Sequence, residues 1–332
     1  MRRRAVLSLL VLFLVTCRRE APSYVAHIEQ ARAERVTRLQ AEKGWLTLAG
    51  LFWLQPGTSR VGSSAQAELR IPVAAPAQVG TLTVDETGVA LRVQPGVAAT
   101  SDGAPVTTLP LRDDAAGAST VVSLGSVSFY VIRRGTRLGV RVKDSASAVR
   151  TGFRGLEYFS VDSRWRIPAR LVRYEAPRRV SVPTVLGEDS EELSPGELEF
   201  TLDGRAHRLQ ALAESGEQGL FVVFGDATNG RSTHGAGRFL DTEAPAVDGS
   251  VMLDFNLAYN PPCAFTPYAT CPVPSAKNRL PVAIEAGERA YEHRPHLHGN
   301  RSTGTNRVDS QNAGAGRCRA SCLSRGALSG GA

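Results

Sequence analysis

The chain reads as mainly β: an N-terminal helix, then a β-sandwich, then a second β-rich unit. Three observations carry this. Apolar residues at helical spacing lie near the start. Short β-type runs broken by Gly, Pro and Asp fill residues 54–150. Alternating runs around a two-residue turn mark a hairpin near 196–211. For the helix, Ser23 is a suitable N-cap, and Val25, Ile28, Val36 and Leu39 recur until Gly44, predicting a helix over 24–42. Its polar side chains Arg32, Glu34, Arg35 and Arg38 read as a solvated face. The apolar, aromatic run Gly44-Trp-Leu-Thr-Leu-Ala-Gly-Leu-Phe-Trp-Leu54 is expected to be buried where the helix meets the β-rich part of the chain.

The sandwich rests on runs at 68–71, 78–84, 89–93, 105–111, 120–124, 127–133 and 137–143. Beyond 150 the pattern continues. Leu198, Phe200 and Leu202 alternate with polar residues, Asp203-Gly204 makes the turn, and the partner strand returns through His207 and Leu209. His207 shares parity with Leu209, which makes it a satisfied core histidine before it is a ligand. Residues 219–224 read as a buried strand, and 226–240 as a Gly-rich loop ending in a strand. The organisation is then 1–17, an export signal; 24–150, helix plus sandwich; 151–288, the second β-rich unit; and 289–332, a disordered or out-of-frame tail.

The net charge of +7 is a property of the ends. Residues 1–20 contribute +4 and residues 289–332 contribute +5, leaving −2 for the body, so no basic patch of the kind that binds nucleic acid is expected. Met1-Arg2-Arg3-Arg4 followed by an apolar stretch from Ala5 to Val15 is the layout of a secretory signal. Leu14-Val15-Thr16-Cys17 resembles the lipobox of bacterial lipoproteins, which implies lipid attachment at Cys17, with Thr16 departing from the usual Gly, Ala or Ser. Export to the envelope is the expectation, with membrane contact through the lipid. The tail carries His293, His296, His298, Cys318 and Cys322 in a patternless polar context, and a zinc site there lacks any supporting core.

Chemistry concentrates in residues 254–279. Pro261, Pro262, Pro267, Pro272 and Pro274 exclude a helix or a central strand and predict a rigid irregular loop. Cys263 and Cys271, with seven residues between them, read first as a structural disulfide in an exported protein. A second reading makes Cys263 or Cys271 a nucleophile. His234 is the nearest base, Asp254 a supporting carboxylate, and Asn256 or Asn260 the oxyanion donors. A zinc site from Cys263, Cys271, Asp254 and His234 lacks the spacing of a zinc knuckle. A binding reading takes Arg238, Asp254, Asn256, Tyr259, Asn260, Tyr268, Asn278 and Arg279 as a polar, aromatic rim for a carbohydrate, peptide or acidic small molecule. Set against that rim, Asn and Asp in such loops cap their own backbone, and Arg238 can pair with Asp254 inside the fold. Gly-x-Ser-x-Gly, His-Glu-x-x-His and Gly-x-Gly-x-x-Gly are all missing from the sequence, so the readings they support fall away.

Two resemblances add to this. The Asp102-Gly103 turn, and Gly125 leading into Val127-Ser-Phe-Tyr-Val131, resemble a degenerate forkhead-associated sandwich. Ser63 stands where that family grips phosphothreonine and the matching Arg has no counterpart, so phosphopeptide binding is not implied. Residues 44–54, Arg141-Val-Lys-Asp144, Asp226 with Thr228, Gly235-Ala-Gly-Arg-Phe-Leu240 and the 254–279 run together resemble the bacterial domain of unknown function 1684 over about residues 24–288. That resemblance implies a family end shortly after Ala286-Gly-Glu288, and a Tyr more often than a His at position 234, which weakens a general-base role for His234. It also implies members without export signals, whose cysteines would stay reduced. The expectation is a ligand-binding or structural role centred on 226–279, with no cofactor; the alternative is a thiol-dependent hydrolase or transferase using Cys263 or Cys271.

Overall fold

A computed structural model of the protein describes residues 23–72, 74–213 and 218–291. The signal segment with Cys17, and the tail with its His293, His296, His298, Cys318 and Cys322, lie outside those residues. The helix α1 spans Tyr24–Gln40 with the Ser23 side chain capping the Ala26 amide. The next strands in the chain are β1 (Leu48–Trp53), β2 (Gly57–Gly62), β3 (Leu69–Arg70), β4 (Gly80–Asp85), β5 (Gly88–Val93), β6 (Thr100–Ser101), β7 (Ala104–Pro105), β8 (Thr108–Leu111), β9 (Val122–Leu124), β10 (Val127–Arg134) and β11 (Arg137–Asp144). After the short helix α2 (Ala148–Thr151) come β12 (Arg166–Pro183), β13 (Asp189–Leu202), β14 (Arg205–Ala213), β15 (Leu220–Phe224), β16 (Arg238–Asp241) and β17 (Ser250–Asp254).

The protein is mainly β, as its sequence predicts. Two sheets, ordered β1-β11-β10-β9-β6-β7 and β3-β2-β4-β5-β8, face one another across a shared core. Val61, Leu82 and Leu91 from one meet Phe129, Val131, Val140 and Val142 from the other, which makes a sandwich. The turns form where the sequence placed them. Asp102 and Asp203 take φ of 49° and 50°, and the glycine after each takes φ of 80° and 73°, the signature of a two-residue hairpin turn.

The third sheet runs β16-β15-β14-β13-β12-β17. Its inner face, with Ile167, Leu171, Leu198, Leu209 and Val222, packs against the irregular segments 255–258 and 280–286. The long β12–β13 ribbon continues past a register shift between Arg173 and Arg178, and its tip returns to the Pro-rich loop, where the Val185 amide bonds the Cys271 carbonyl. His207 lies half-buried in a stack on Phe200 at 5.6 Å, and its Nε2 has no partner. The expectation of a satisfied core histidine is therefore corrected: the β14 position opposite Phe200 is right, but the ring is only half-buried and Nε2 is unpaired.

Two further corrections concern the helix and the chain end. The face of α1 read as solvated is split. Glu34 and Arg38 are exposed, but Arg32 is 8% exposed and Arg35 is 15% exposed, both turned into the C-terminal half. Arg32 donates to the Phe159 carbonyl and lies over the Tyr158 ring, while Arg35 pairs with Glu288 at 3.1 Å and donates to the Asn260 carbonyl. The helix is amphipathic in shape, yet its buried stripe includes guanidinium groups that also reach partners more than 100 residues away, Arg32 pairing in addition with Glu29 one turn earlier. The expected tail also begins too early. Arg289 and Ala290 bond the Glu157 carbonyl and the Ser232 carbonyl, and Tyr291 packs on Phe265 at 4.8 Å, so 289–291 belong to the fold.

The sandwich core sets the first stability test. Phe129 is fully buried between the two sheets, so Phe129→Ala should lower unfolding free energy by about 3–5 kcal/mol. Urea denaturation monitored by circular dichroism measures it.

Candidate functional site

The Gly-rich loop between β15 and β16 is rigid because of one carboxylate. Asp226 accepts from the Thr228 amide at 2.8 Å, from the Thr228 hydroxyl at 2.5 Å and from the Ile284 amide at 3.2 Å. Its other oxygen pairs with Arg238 at 2.8 Å, and both side chains are 0% exposed. Arg238 also donates to the Ile284 and Ala286 carbonyls. A buried charge pair is tolerable only when its remaining hydrogen-bonding capacity is largely used, and these backbone contacts use most of it. Thr228, Asn229 and Thr233 then cross-link the loop, and Asn229 Nδ2 holds the His234 carbonyl at 3.0 Å. Gly237, at φ 95°, lets the chain pass Pro274; a Cβ there would sit 2.4 Å from the proline Cγ.

This loop delivers His234 to Cys263. The distance from Cys263 Sγ to His234 Nε2 is 3.6 Å, and Cys271 Sγ accepts from the Cys263 amide at 3.3 Å. Three separate elements converge: the 226–237 loop, the 3-10 turn Pro262–Ala264, and the Cys271 segment pinned to the tip of the β12–β13 ribbon. Cys263 is half-buried and Cys271 is 5% exposed. Both are free thiols in this structure, so the predicted bridge is not formed in it. A hydrogen bond from the Cys271 thiol, together with the His234 ring, brings Cys263 down to about 5 against the opposing effect of burial. The same sharing pushes the Cys271 thiol up, with burial adding to it. The two sulfurs act as one titrating pair whose first proton leaves from Cys263.

Most of the predicted polar rim is turned inward. Arg238 pairs with Asp226, not Asp254, and is fully buried. Asp254 accepts from the Tyr24 hydroxyl at 2.8 Å and caps Asn256, whose amide also bonds the Asp162 carbonyl. Asn260 donates to the Arg289 carbonyl. Asn278 clamps β14 to β15 through the Gln210 amide and carbonyl and the Val223 carbonyl. These side chains staple irregular backbone that has no ladder partner. Asp254 is thereby corrected as a catalytic candidate: it serves the foot of α1 and makes no bond to Cys263 or His234. Asn256 and Asn260, expected as oxyanion donors, spend their amide hydrogens on backbone carbonyls and the Tyr24 hydroxyl. Tyr259 remains at a cleft with Arg35 over its ring at 4.6 Å, and Tyr268 is exposed. Among the described residues no three His, Cys, Asp or Glu side chains gather as metal ligands.

Residues 151–289 match the family described as "Protein of unknown function (DUF1684)". The chain belongs to this family. No curated protein matches it. Among solved structures it is similar to an uncharacterized protein of Haloarcula marismortui determined by solution NMR, at 37% identity, over 42% of this chain and 78% of that one, with a TM-score of 0.36.

This DUF1684 protein has two adjoining cavities beside the thiol pair. One, of about 410 Å³, lies under α1 and is lined by Arg32, Arg35, Tyr158, Tyr259 and Glu288. The other, of about 730 Å³, is lined by Arg134, Arg141, Thr270, Cys271 and Pro272. Trp45, Phe221, Phe239 and Pro262 wall both. Sequence reasoning missed Arg35, Glu288 and Arg141 as cavity groups. Arg141 had a signal: on β11 it alternates with the core residues Val140 and Val142, so it points to the opposite face, and that face proves to be covered. Arg35 had none, since its partner Glu288 lies 253 residues away.

Because Asp226 neutralises a guanidinium that has no contact with water, Asp226→Asn keeps the shape and removes the charge. It should cost about 3–5 kcal/mol, seen as a lowered thermal midpoint.

Proposed function

We propose that this is an exported, lipid-anchored protein whose Cys263 and Cys271 carry out thiol–disulfide exchange, with His234 supporting the attacking thiolate. The observation that carries the reading is the convergence of His234 Nε2 at 3.6 Å from Cys263 Sγ, with Cys271 Sγ 3.3 Å from the Cys263 amide. A low-pKa, half-buried thiol beside a buried high-pKa thiol is the division of labour that exchange needs. Hydrolysis and acyl transfer fit less well, because the Asn256 and Asn260 amides expected to hold an oxyanion are committed elsewhere. The signal-like start of the chain and Cys17 support an oxidising compartment, where such exchange matters.

In the proposed step the Cys263 thiolate attacks one sulfur of a partner disulfide. A new S–S bond forms, the partner's bond breaks, and the leaving thiolate takes the proton of the His234 imidazolium. Cys271 then attacks the Cys263 sulfur and releases the second partner sulfur, which takes the Cys271 proton. The partner ends as two thiols and the protein as a Cys263–Cys271 disulfide. The predicted structural bridge is thus read as the oxidised half of a cycle. Closing so short a ring stabilises the fold by only about 2–3 kcal/mol, which leaves the bond reducible.

Two measurements test this. In the reduced protein, alkylation of Cys263 by iodoacetamide should reach half its maximal rate near pH 5, the thiolate form dominating above it. His234→Gln removes the supporting cation, so that midpoint should move to higher pH; an unmoved midpoint argues against the pair. In a protein with Cys17, Cys318 and Cys322 replaced by Ser, so that only Cys263 and Cys271 remain, the aromatic disulfide reagent dithiobis(nitrobenzoate) should release two thiolates and leave no adduct, whereas adding Cys271→Ser should release one and retain one. An adduct kept on each of Cys263 and Cys271 rejects exchange.

A further inference from the structure

Arg141 presents the reverse of the Arg238 arrangement. It is 3% exposed, yet among the described residues no carboxylate pairs with it, and its Nε has no hydrogen-bond partner. Its protein contacts are a hydrogen bond from Nη2 to Thr270 Oγ1 at 2.9 Å and the Trp45 ring at 6.0 Å from Cζ. Neighbouring Arg134 donates to the same hydroxyl at 3.2 Å, but Arg134 is neutralised by Asp114 at 2.9 Å. A guanidinium withdrawn from water keeps its charge, and holding it without a counter-charge is unfavourable. An anion beside Arg141 would relieve this.

The surroundings suit one. Arg141, Arg134, Thr270 and Trp45 all line the 730 Å³ cavity, which has room for a small molecule. Thr270 Oγ1 accepts from both arginines, so its own hydrogen is left to donate toward an acceptor in the cavity. Asp189, Glu191 and Glu192 from β13 also line the cavity. Those carboxylates repel a second negative charge, so the cavity discriminates against polyanions and in favour of a ligand with one anionic end. Cys271 lines the same cavity, which places that end next to the thiol pair.

We propose that the Arg141–Thr270 corner binds the oxyanion group, carboxylate or phosphate, of a small ligand seated in this cavity. The site stands on its own geometry and does not rest on the thiol chemistry.

The test uses the full-length protein with inorganic phosphate and acetate as probes and chloride at matched ionic strength as the reference. Thermal midpoint and Trp fluorescence are measured in the wild type, Cys263→Ser, Arg141→Met and Thr270→Val. At least one of the two oxyanions should raise the midpoint by a few degrees over chloride in the wild type and in Cys263→Ser, as expected when a ligand binds only the folded state. Arg141→Met should lose that increment, and Thr270→Val should weaken binding about fivefold, the worth of one hydrogen bond. A larger response to phosphate assigns a phosphate ester, and a larger response to acetate a carboxylate. The proposal is overturned if neither oxyanion exceeds chloride in the wild type, or if Arg141→Met responds as the wild type does. Should Arg141→Met fail to fold, an undiminished response in Thr270→Val overturns it instead. Because Cys263→Ser is expected to bind, loss of exchange chemistry and loss of the anion site are read separately.

Discussion

The ion pair between Asp226 and Arg238 has no contact with water, and the irregular segments 226–237 and 280–288 of the C-terminal half are arranged around it. Through the carboxylate it fixes the 226–237 loop; through the guanidinium it fixes the carbonyls of Ile284 and Ala286. Gly287, at φ 74° and with a Cβ position 2.3 Å from the Ala258 carbonyl, then turns the chain so that Glu288 meets the Asn260 amide and Arg35. Burial pushes the Glu288 carboxyl above its ordinary range, and Arg35 opposes that shift. The N-terminal helix is therefore held by a relay of charge that begins on the third sheet.

Such a relay explains why so many polar side chains of 254–288 turn inward. Prolines deny this stretch a ladder, and each backbone group left over needs a partner. Asp254, Asn256, Asn260 and Asn278 supply them. The rigidity so gained is what brings His234, Cys263 and Cys271 together from three places in the chain, with separations set by packing and not by flexible side chains.

Arg238 and Arg141 make a useful contrast. Both are buried, but one is matched by a carboxylate and two carbonyls while the other meets a single hydroxyl and a distant ring. The difference separates a staple from a binding group. The unmatched cation and one sulfur of the thiol pair, Cys271, line the same cavity.

Local patterns were enough to read α1, the sandwich runs, the Asp203-Gly204 hairpin and the irregular character of 254–279, because spacing, turn chemistry and proline act over a few residues. The meeting of His234 with Cys263 was visible only as a candidate, since a sequence gives residue types but not distances. Arg32 and Arg35 were misread as solvated, and Arg238 and Asp254 as a rim, for one reason: whether a charged side chain faces water or a partner depends on elements far away in the chain. The sequence determined the β architecture and where the chemistry is concentrated. Tertiary structure alone decided which polar groups neutralise one another and that Arg141, among the described residues, is left without a carboxylate, because burial and pairing are properties of the assembled fold.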